Sequence, residues 1–442
     1  MPHKFVNVAF SSKLTVKFKM EEIALVLIII ILFGFVTCND NSQVAIRSDQ
    51  LGFDPSLEVI HLYEKQWPVG IAVSSTGRKF ACFPAVLDEL NTNNGSNNVY
   101  AVAELTDLYG ETPYPNEEYN NPSGGAVDNS GPFPKTKGLS NNFLGVISLF
   151  IDIFDVLWVL DTGRVVSEGV TLDSSYGGPK LVSIDTNNDA VVDTYVFPTD
   201  VARPTSLFGN VRVDPFRRTA YISDSTPTRD NAIIVVDLRT GDSWRTLARD
   251  FSVRALPGFV AFVNGYPLYQ VVTSPAGTPV GASFLTNGVD GVALSPEFET
   301  LYYVAPFGRT LYSVPTSLLR NPNTPATEIV AAVRSLGQIG VSADVTTDSN
   351  GVVYLGQNEQ NVVQMYDPKT GFLVVVVDDT RINFVARFSL TANGSLYFNV
   401  NQFNRLPSIY SGEGPLGVDR RQTPYVLFKV DLPGNATKPD GS

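Results

Sequence analysis

The 442-residue chain is nearly without histidine, having only His3 and His61, and it carries two cysteines, Cys38 and Cys82. Those shortages remove whole reaction classes. A Ser-His-Asp triad, a Cys-His pair or a histidine-rich zinc centre needs side chains that are not there in number. Basic residues are also scarce, 32 Lys and Arg against 44 Asp and Glu. Setting aside the four lysines and two glutamates before Asn39 leaves 28 against 42, a net of −14. So acidic a chain is a poor match for nucleic acid or an anionic membrane surface.

Long apolar runs are missing too, with one exception. Ile23 to Val36 is an unbroken apolar stretch of 14 residues, preceded by Lys13, Lys17 and Lys19 and followed by the small-residue site Val36-Thr37-Cys38. This predicts a secretory signal with an N-terminal extension over 1–38, cut near Cys38, and hence a secreted, extracellular protein without stable membrane insertion after cleavage. An uncleaved anchor is the alternative, for which 14 residues are short. After cleavage Cys82 stands alone. It lies in the apolar stretch Phe80 to Phe83, so it reads as a buried, inert thiol. Asn94, Asn393 and Asn435 open three glycosylation sequons.

What the chain does have is a repeat. "PVGIAVSSTGRKFACF" from 68 returns in altered form as "VISLFIDIFDVLWVLD" from 146, "GNVRVDPFRRTAYISD" from 209, "GVDGVALSPEFETLYY" from 288, "SADVTTDSNGVVYLGQ" from 342 and "ARFSLTANGSLYFNVN" from 386. Each is an alternating apolar run, a polar or Gly turn, and a second run centred on an aromatic, the pattern of a β-hairpin. Third runs follow at 98, 179, 232, 310, 361 and 425, and fourth runs at 191, 243, 327 ("TEIVAAV") and 373. The first unit's fourth strand is unclear. The sixth unit runs out of chain, and "LEVIHLYE" at 57 is available to complete it. The fold class predicted is all-β, a six-bladed β-propeller over 50–435 closed by an N-terminal strand, with 436–442 as a flexible tail. Insertions are expected at 106–142 and at 249–287, the second with an Asn264-Gly265 hairpin signal.

In such a ring the loops before the first strand and after the second share one face, where a binding site gathers. The slots opening the inner strands hold Asn210, Asp290, Asp344 and Arg387, and the loops after the second strands add Asn358, Asn401 and Phe403 as well as Asp161, Thr162, Asp224, Gln357 and Asn399. These are the candidate ligand-binding residues at the channel mouth. Each is also a residue type that caps turns and satisfies nearby backbone N–H groups. Asp290 and Asp344 are the carboxylates available to pair with Arg387.

"LWVLDTG" (157–163), "PKLVSID" (179–185), "YISD" (221–224), "GVDGVALSP" (288–296), "LYSVPTSLL" (311–319) and "NGSLYFNVNQFNRLP" (393–407) together resemble the major royal jelly protein and Yellow family, in order, over about 50 to 435. The resemblance implies a secreted six-bladed propeller. It also implies a choice of roles: nutritive or storage proteins, pigmentation factors linked to dopachrome conversion, and salivary proteins that bind biogenic amines in the channel. The chain departs from the insect pattern in lacking paired cysteines. The hairpin at 288–303 is similar as well to that of calcium-dependent lactonases of the gluconolactonase type, whose metal is held by a Glu, an Asn and an Asp before separate inner strands. Here those slots hold Val69 or Gly70, Asp290 and Ala343. Asp290 is the one oxygen ligand kept, so no cofactor is predicted, and Ca²⁺ enters only with the lactonase alternative. The ligand expected is a small amine, catechol or lactone.

Overall fold

The computed structural model describes residues 5–9, 15–19, 53–434 and 436–441. Two compact units divide the chain, Met1–Ala45 and Ile46–Ser442. In the first, Phe5–Ala9 pairs antiparallel with Thr15–Lys19. The apolar run Ile23 to Val36 and the expected cut near Cys38 lie outside the described residues.

The second unit is all-β, mostly strands with a few short helices. It contains six four-stranded antiparallel sheets. Their inner strands are Ile71–Val73, Val146–Ile151, Phe208–Asp214, Gly291–Leu294, Val345–Thr347 and Val385–Leu390. All six fall on the hairpins read from the repeat. The aromatics Phe80, Trp158, Tyr221, Tyr302, Tyr354 and Tyr397 lie in the second strands. Inner strands touch in cyclic order, first to second and onward to the sixth, which touches the first. In the sixth sheet Glu58–Tyr63 pairs with Tyr425–Asp431, from Glu58 opposite Lys429 to Tyr63 opposite Tyr425.

Alternation explains the packing. Each strand's inward side chains meet those of the next sheet, giving one apolar cluster for every pair of successive sheets. Val159 with Phe80, Tyr221 with Val292, and Tyr354 with Phe398 belong to three such clusters. Each fully buried Val, Leu, Ile or Phe contributes about 1.5–3 kcal/mol, so the inter-sheet seams carry most of the stability.

Two strand assignments differ from expectation. "TEIVAAV" is helical, Ala326–Ala332, and the fourth strand of its sheet is Arg334–Gln338. Pro325 ends the preceding extended stretch, while three alanines and Glu328 favour helix, with Ile329 the one residue turned into the core. The missing fourth strand of the first sheet is Glu111–Pro113, too short and too polar to carry an apolar signal. The Asn264-Gly265 hairpin forms, with φ of +54° and +82°, both in the left-handed region that a tight two-residue turn requires. Residues 436–441, part of the span 436–442 expected to be a flexible tail, make backbone hydrogen bonds to the fifth and sixth sheets' turns. Ser349 N–H donates to the Thr437 carbonyl, Lys438 N–H donates to that of Thr391, and Ala436 is buried against the sixth sheet.

Candidate functional site

A cavity of about 870 Å³ opens where the inner strands begin. Its floor is Val69, Ile147, Phe208, Asp290, Ala343 and Ala386. Trp67, Phe284, Phe307, Phe384 and Phe403 are among its walls. The floor is apolar because these residues sit at the ends of strands whose side chains also build the inter-sheet seams. The exceptions are Asp290 and Arg387.

Arg387 comes from the sixth inner strand and Asp290 from just before the fourth. One Nη2 hydrogen bond, 2.6 Å, goes to Asp290 Oδ1 and another, 3.1 Å, to the Gly209 carbonyl. Nη1 donates to the carbonyls of Ala343 and Ala386 at 3.0 and 3.1 Å. The guanidinium is thus held mainly by backbone oxygens, which is how a nearly buried cation is tolerated. Asp290 is itself fixed by its main chain, which donates to Val304 and accepts from Ser223 Oγ. Gly209 must be glycine, since a Cβ there would lie 2.3 Å from Asp290 Oδ1. Asp290 keeps 17% of its side chain exposed, and its Oδ2 takes no protein hydrogen bond. Burial pushes the Asp290 carboxyl up from its ordinary value, with the Arg387 charge and hydrogen bond opposing.

Beneath this pair lies a second. Asp344 accepts from Asn210 Nδ2 at 2.5 Å, from Arg212 Nη2 at 3.3 Å, and from the backbone N–H groups of Val345 and Phe388 at 2.8 and 2.9 Å. Asn210 Oδ1 in turn receives Ser148 Oγ at 2.6 Å and Arg212 Nη1 at 2.8 Å. Asn210 and Asp344, expected at the mouth, are therefore buried below the floor. Their side chains turn toward the axis, where the inner strands converge and exclude water. Arg212, not among the expected site residues, completes the network. Its signal was present in "NVRVDP", a cation at an inward position of an otherwise apolar strand.

The remaining expected residues divide. Asn401 and Phe403 line the cavity, where Asn401 Nδ2 donates to the Pro68 carbonyl and the Phe403 ring lies 4.9 Å from that of Phe384. Asn358 clamps the fifth sheet to the sixth, accepting from Val385 N–H at 2.8 Å and donating to its carbonyl at 3.3 Å, away from the cavity. Asp161 is taken up by Lys180 at 2.8 Å, Asp224 by Arg245 at 2.7 Å, and Asn399 by the Tyr63 hydroxyl at 2.9 Å. Their geometry is structural. His61 is buried in the closing strand, with Nδ1 2.7 Å from the Asp107 carbonyl and Nε2 3.2 Å from Glu111. Cys82 is buried, its thiol pushed up to about 12 by desolvation. Asn94 and Asn393 are exposed, and Asn435 lies outside the described residues.

A feature invisible in the sequence covers part of the mouth. The hairpin Tyr269–Thr273 and Pro279–Ser283, joined by Ile409–Tyr410, reaches out until its tip meets another loop. A Cβ on Gly277 would lie 2.7 Å from the Glu168 carbonyl, so the two backbones are in contact. Among the described residues no group of three or more His, Cys, Asp or Glu side chains is placed to hold a metal ion. Nor, among them, is any helix long and apolar enough to cross a membrane.

Comparison with known proteins gives a consistent picture. A family model described as "Major royal jelly protein" matches residues 144–411. Major royal jelly protein 3 of Apis mellifera is 24% identical over 276 residues, covering 56% of this chain and 44% of that protein. Major royal jelly protein 6 of the same organism is 29% identical over 181 residues, 38% of this chain and 36% of that one. The chain thus spans less than half the length of these curated relatives. Among solved structures, a calcium-binding regucalcin from Agrobacterium tumefaciens is 12% identical, with coverage of 85% and 92% and a TM-score of 0.44. A gluconolactonase from Xanthomonas campestris is 10% identical, with coverage of 84% and 88% and a TM-score of 0.44. At such scores neither structure bears on the site or its chemistry.

Proposed function

The chain belongs to the major royal jelly protein family, and on that premise we propose a secreted six-bladed β-propeller, closed by Glu58–Tyr63, whose cavity binds a small aromatic molecule bearing a hydrogen-bond donor. The cyclic contacts of the inner strands support the architecture, and the leader-like run before Cys38 supports secretion. One observation carries the ligand class. At the floor, Asp290 offers a free carboxylate oxygen while the Nη groups of Arg387 are already spent on Asp290 and on backbone carbonyls.

A ligand that meets this floor must donate. Amines and catechols do, whereas a lactone without hydroxyl groups has only acceptors and finds no open donor on Asp290. The ring of the ligand lies among Trp67, Phe307, Phe384 and Phe403. A cationic ligand adds cation–π attraction there, about 0.5–2 kcal/mol.

The residues do not fit a calcium centre. Such a site takes about six to eight oxygens, and of the slots in question Val69 and Ala343 supply no side-chain oxygen while Asp290 is already ion-paired. A second reading, dopachrome-conversion-like isomerisation, is favoured by the raised carboxyl of Asp290, since a proton-transfer group works best when its pKa moves toward the working pH. A storage or matrix role predicts no selective ligand. Calorimetry with a panel of amines, catechols and lactones tests the proposal. Amines or catechols are expected to bind, lactones not, and Asp290→Asn to weaken binding about tenfold or more, equivalent to about 1.4 kcal/mol. Binding that ignores the substitution removes Asp290 from the site.

A further inference from the structure

The opposite ends of the inner strands enclose a second, smaller pocket of about 50 Å³. Ile71, Leu149, Ile151, Leu294, Phe388 and Leu390 make it apolar. One polar group is carried into it by the segment 436–441. Lys438 Nζ donates to the Asp152 carbonyl at 3.0 Å and stands 5.7 Å from the centre of the Phe150 ring. Its segment is pinned on both sides of the Thr437–Lys438 peptide, by Ser349 and by Thr391.

Among the described residues, no carboxylate lies within ion-pair distance of the lysine. The charged groups facing it are Asp152, Asp155 and Arg212. Asp152 is committed to Trp158 Nε1 and to the N–H groups of Phe154 and Val156, Asp155 to Ser75, and Arg212 to Asp344 and Asn210. Other lysines differ on one count or another. Lys180 is neutralised by Asp161 and Lys429 lies between Glu58 and Asp431, while Lys65, Lys135 and Lys369 are on the surface. A lysine in a largely apolar pocket, whose lining carboxylate Asp152 is already taken up by Trp158 Nε1 and two backbone N–H groups, is a setting in which an amine acts as a nucleophile.

We propose that Lys438 captures small apolar aldehydes as imines, in a site separate from the aromatic cavity. The Nζ lone pair attacks the carbonyl carbon, forming the C–N bond and a carbinolamine. One nitrogen proton passes to the oxygen as the carbinolamine forms, and loss of its hydroxyl with the remaining nitrogen proton gives the C=N bond and one water, without oxidant or reductant. The alkyl part of the aldehyde then replaces water against Leu149, Leu294 and Phe388. Burial holds the ammonium down to about 8, with Asp152 and Asp155 opposing and Arg212 assisting. The neutral amine is therefore well populated near neutral pH.

The test uses the full chain, butanal at low stoichiometry and cyanoborohydride to trap the imine, with adducts located by peptide mapping. Lys438 is expected to be labelled at least about tenfold faster than the surface residues Lys65, Lys135 or Lys369 at pH 8, because burial lowers its ammonium to about 8 and populates the neutral amine. The rate should climb through pH 8 and level off above it. Lys438→Arg keeps a cation on the segment and should abolish the fast adduct while sparing the slow ones. Labelling of Lys438 no faster than that of the surface lysines, or a fast adduct persisting in Lys438→Arg, overturns the proposal.

Discussion

Two arginine–carboxylate pairs span the ring at different depths, and their contrast is instructive. Asp344 and Arg212 join the fifth and third inner strands, and Asp290 and Arg387 join the fourth and sixth. Asp344 accepts from Asn210, Arg212, Val345 and Phe388, so both of its oxygens are occupied. Asp290 gives one oxygen to Arg387 and turns the rest of its carboxylate to the cavity. The same residue type in neighbouring slots is fully tied to protein in one case and partly open to the cavity in the other. Depth decides. Where the strands have converged no ligand can enter, and every polar atom must find protein.

The sharpest way to break this comparison is to remove one arginine from each pair. Arg212→Met leaves Asp344 buried without a cation and should lower the free energy of unfolding by about 3–5 kcal/mol in a denaturant titration. Arg387→Met strands a carboxylate that still reaches the cavity, so its loss should be smaller, about 1–3 kcal/mol. Ligand affinity should fall about tenfold in that variant at temperatures where it remains folded. An Arg387→Met protein that unfolds early but binds normally when folded would make Arg387 purely structural.

The next effect is a slope with pH. The Asp290 carboxyl is raised in the folded state, so folding binds protons that the unfolded chain has released. Stability conferred by that pair should decline as pH rises from the ordinary carboxylate value through the raised one, and Asp290→Asn should flatten the decline. Lys438 has the opposite sign: its ammonium is held at about 8 against an ordinary 10.5, so stability should rise between those values. Lys438→Met should remove the rise, as melting scans at pH 7.5, 9 and 10.5 would show. The smallest effect expected is none. Chelator should leave the melting midpoint unmoved, and a fall would indicate a tightly held metal that stabilises the folded state.

The difference between the two pairs was only half legible. Asp290, Asp344, Asn210 and Arg387 stood out as polar residues opening apolar inner strands, and the structure gathers all four around the axis. Which of them see solvent was not legible, because two successive slots on one strand look alike in a sequence while differing by a layer in the fold. Pairing was visible in part, since Asp290 was one of the two carboxylates expected to pair with Arg387. Arg387 reaches across the ring to Asp290 while Arg212, unremarked, takes Asp344. The run "TEIVAAV" failed for a local reason: a short apolar stretch fits either strand or helix, and the alanines after Pro325 favour helix.

What the sequence determined by itself is the set of hairpins, because alternation with an aromatic second strand is a local pattern that each unit repeats. It pointed as well to "LEVIHLYE" as the strand completing the sixth sheet, where Glu58–Tyr63 pairs with Tyr425–Asp431. By composition it left little material for histidine-based catalysis, with His3 and His61 alone. Tertiary structure alone decided the rest. The cavity exists because six inner strands start around a common axis, the hairpin over its mouth because a loop from one insertion reaches another, and the second pocket because 436–441 folds back on the ring. These are contacts between residues hundreds of positions apart, and their energies depend on burial and distance, which no local pattern records.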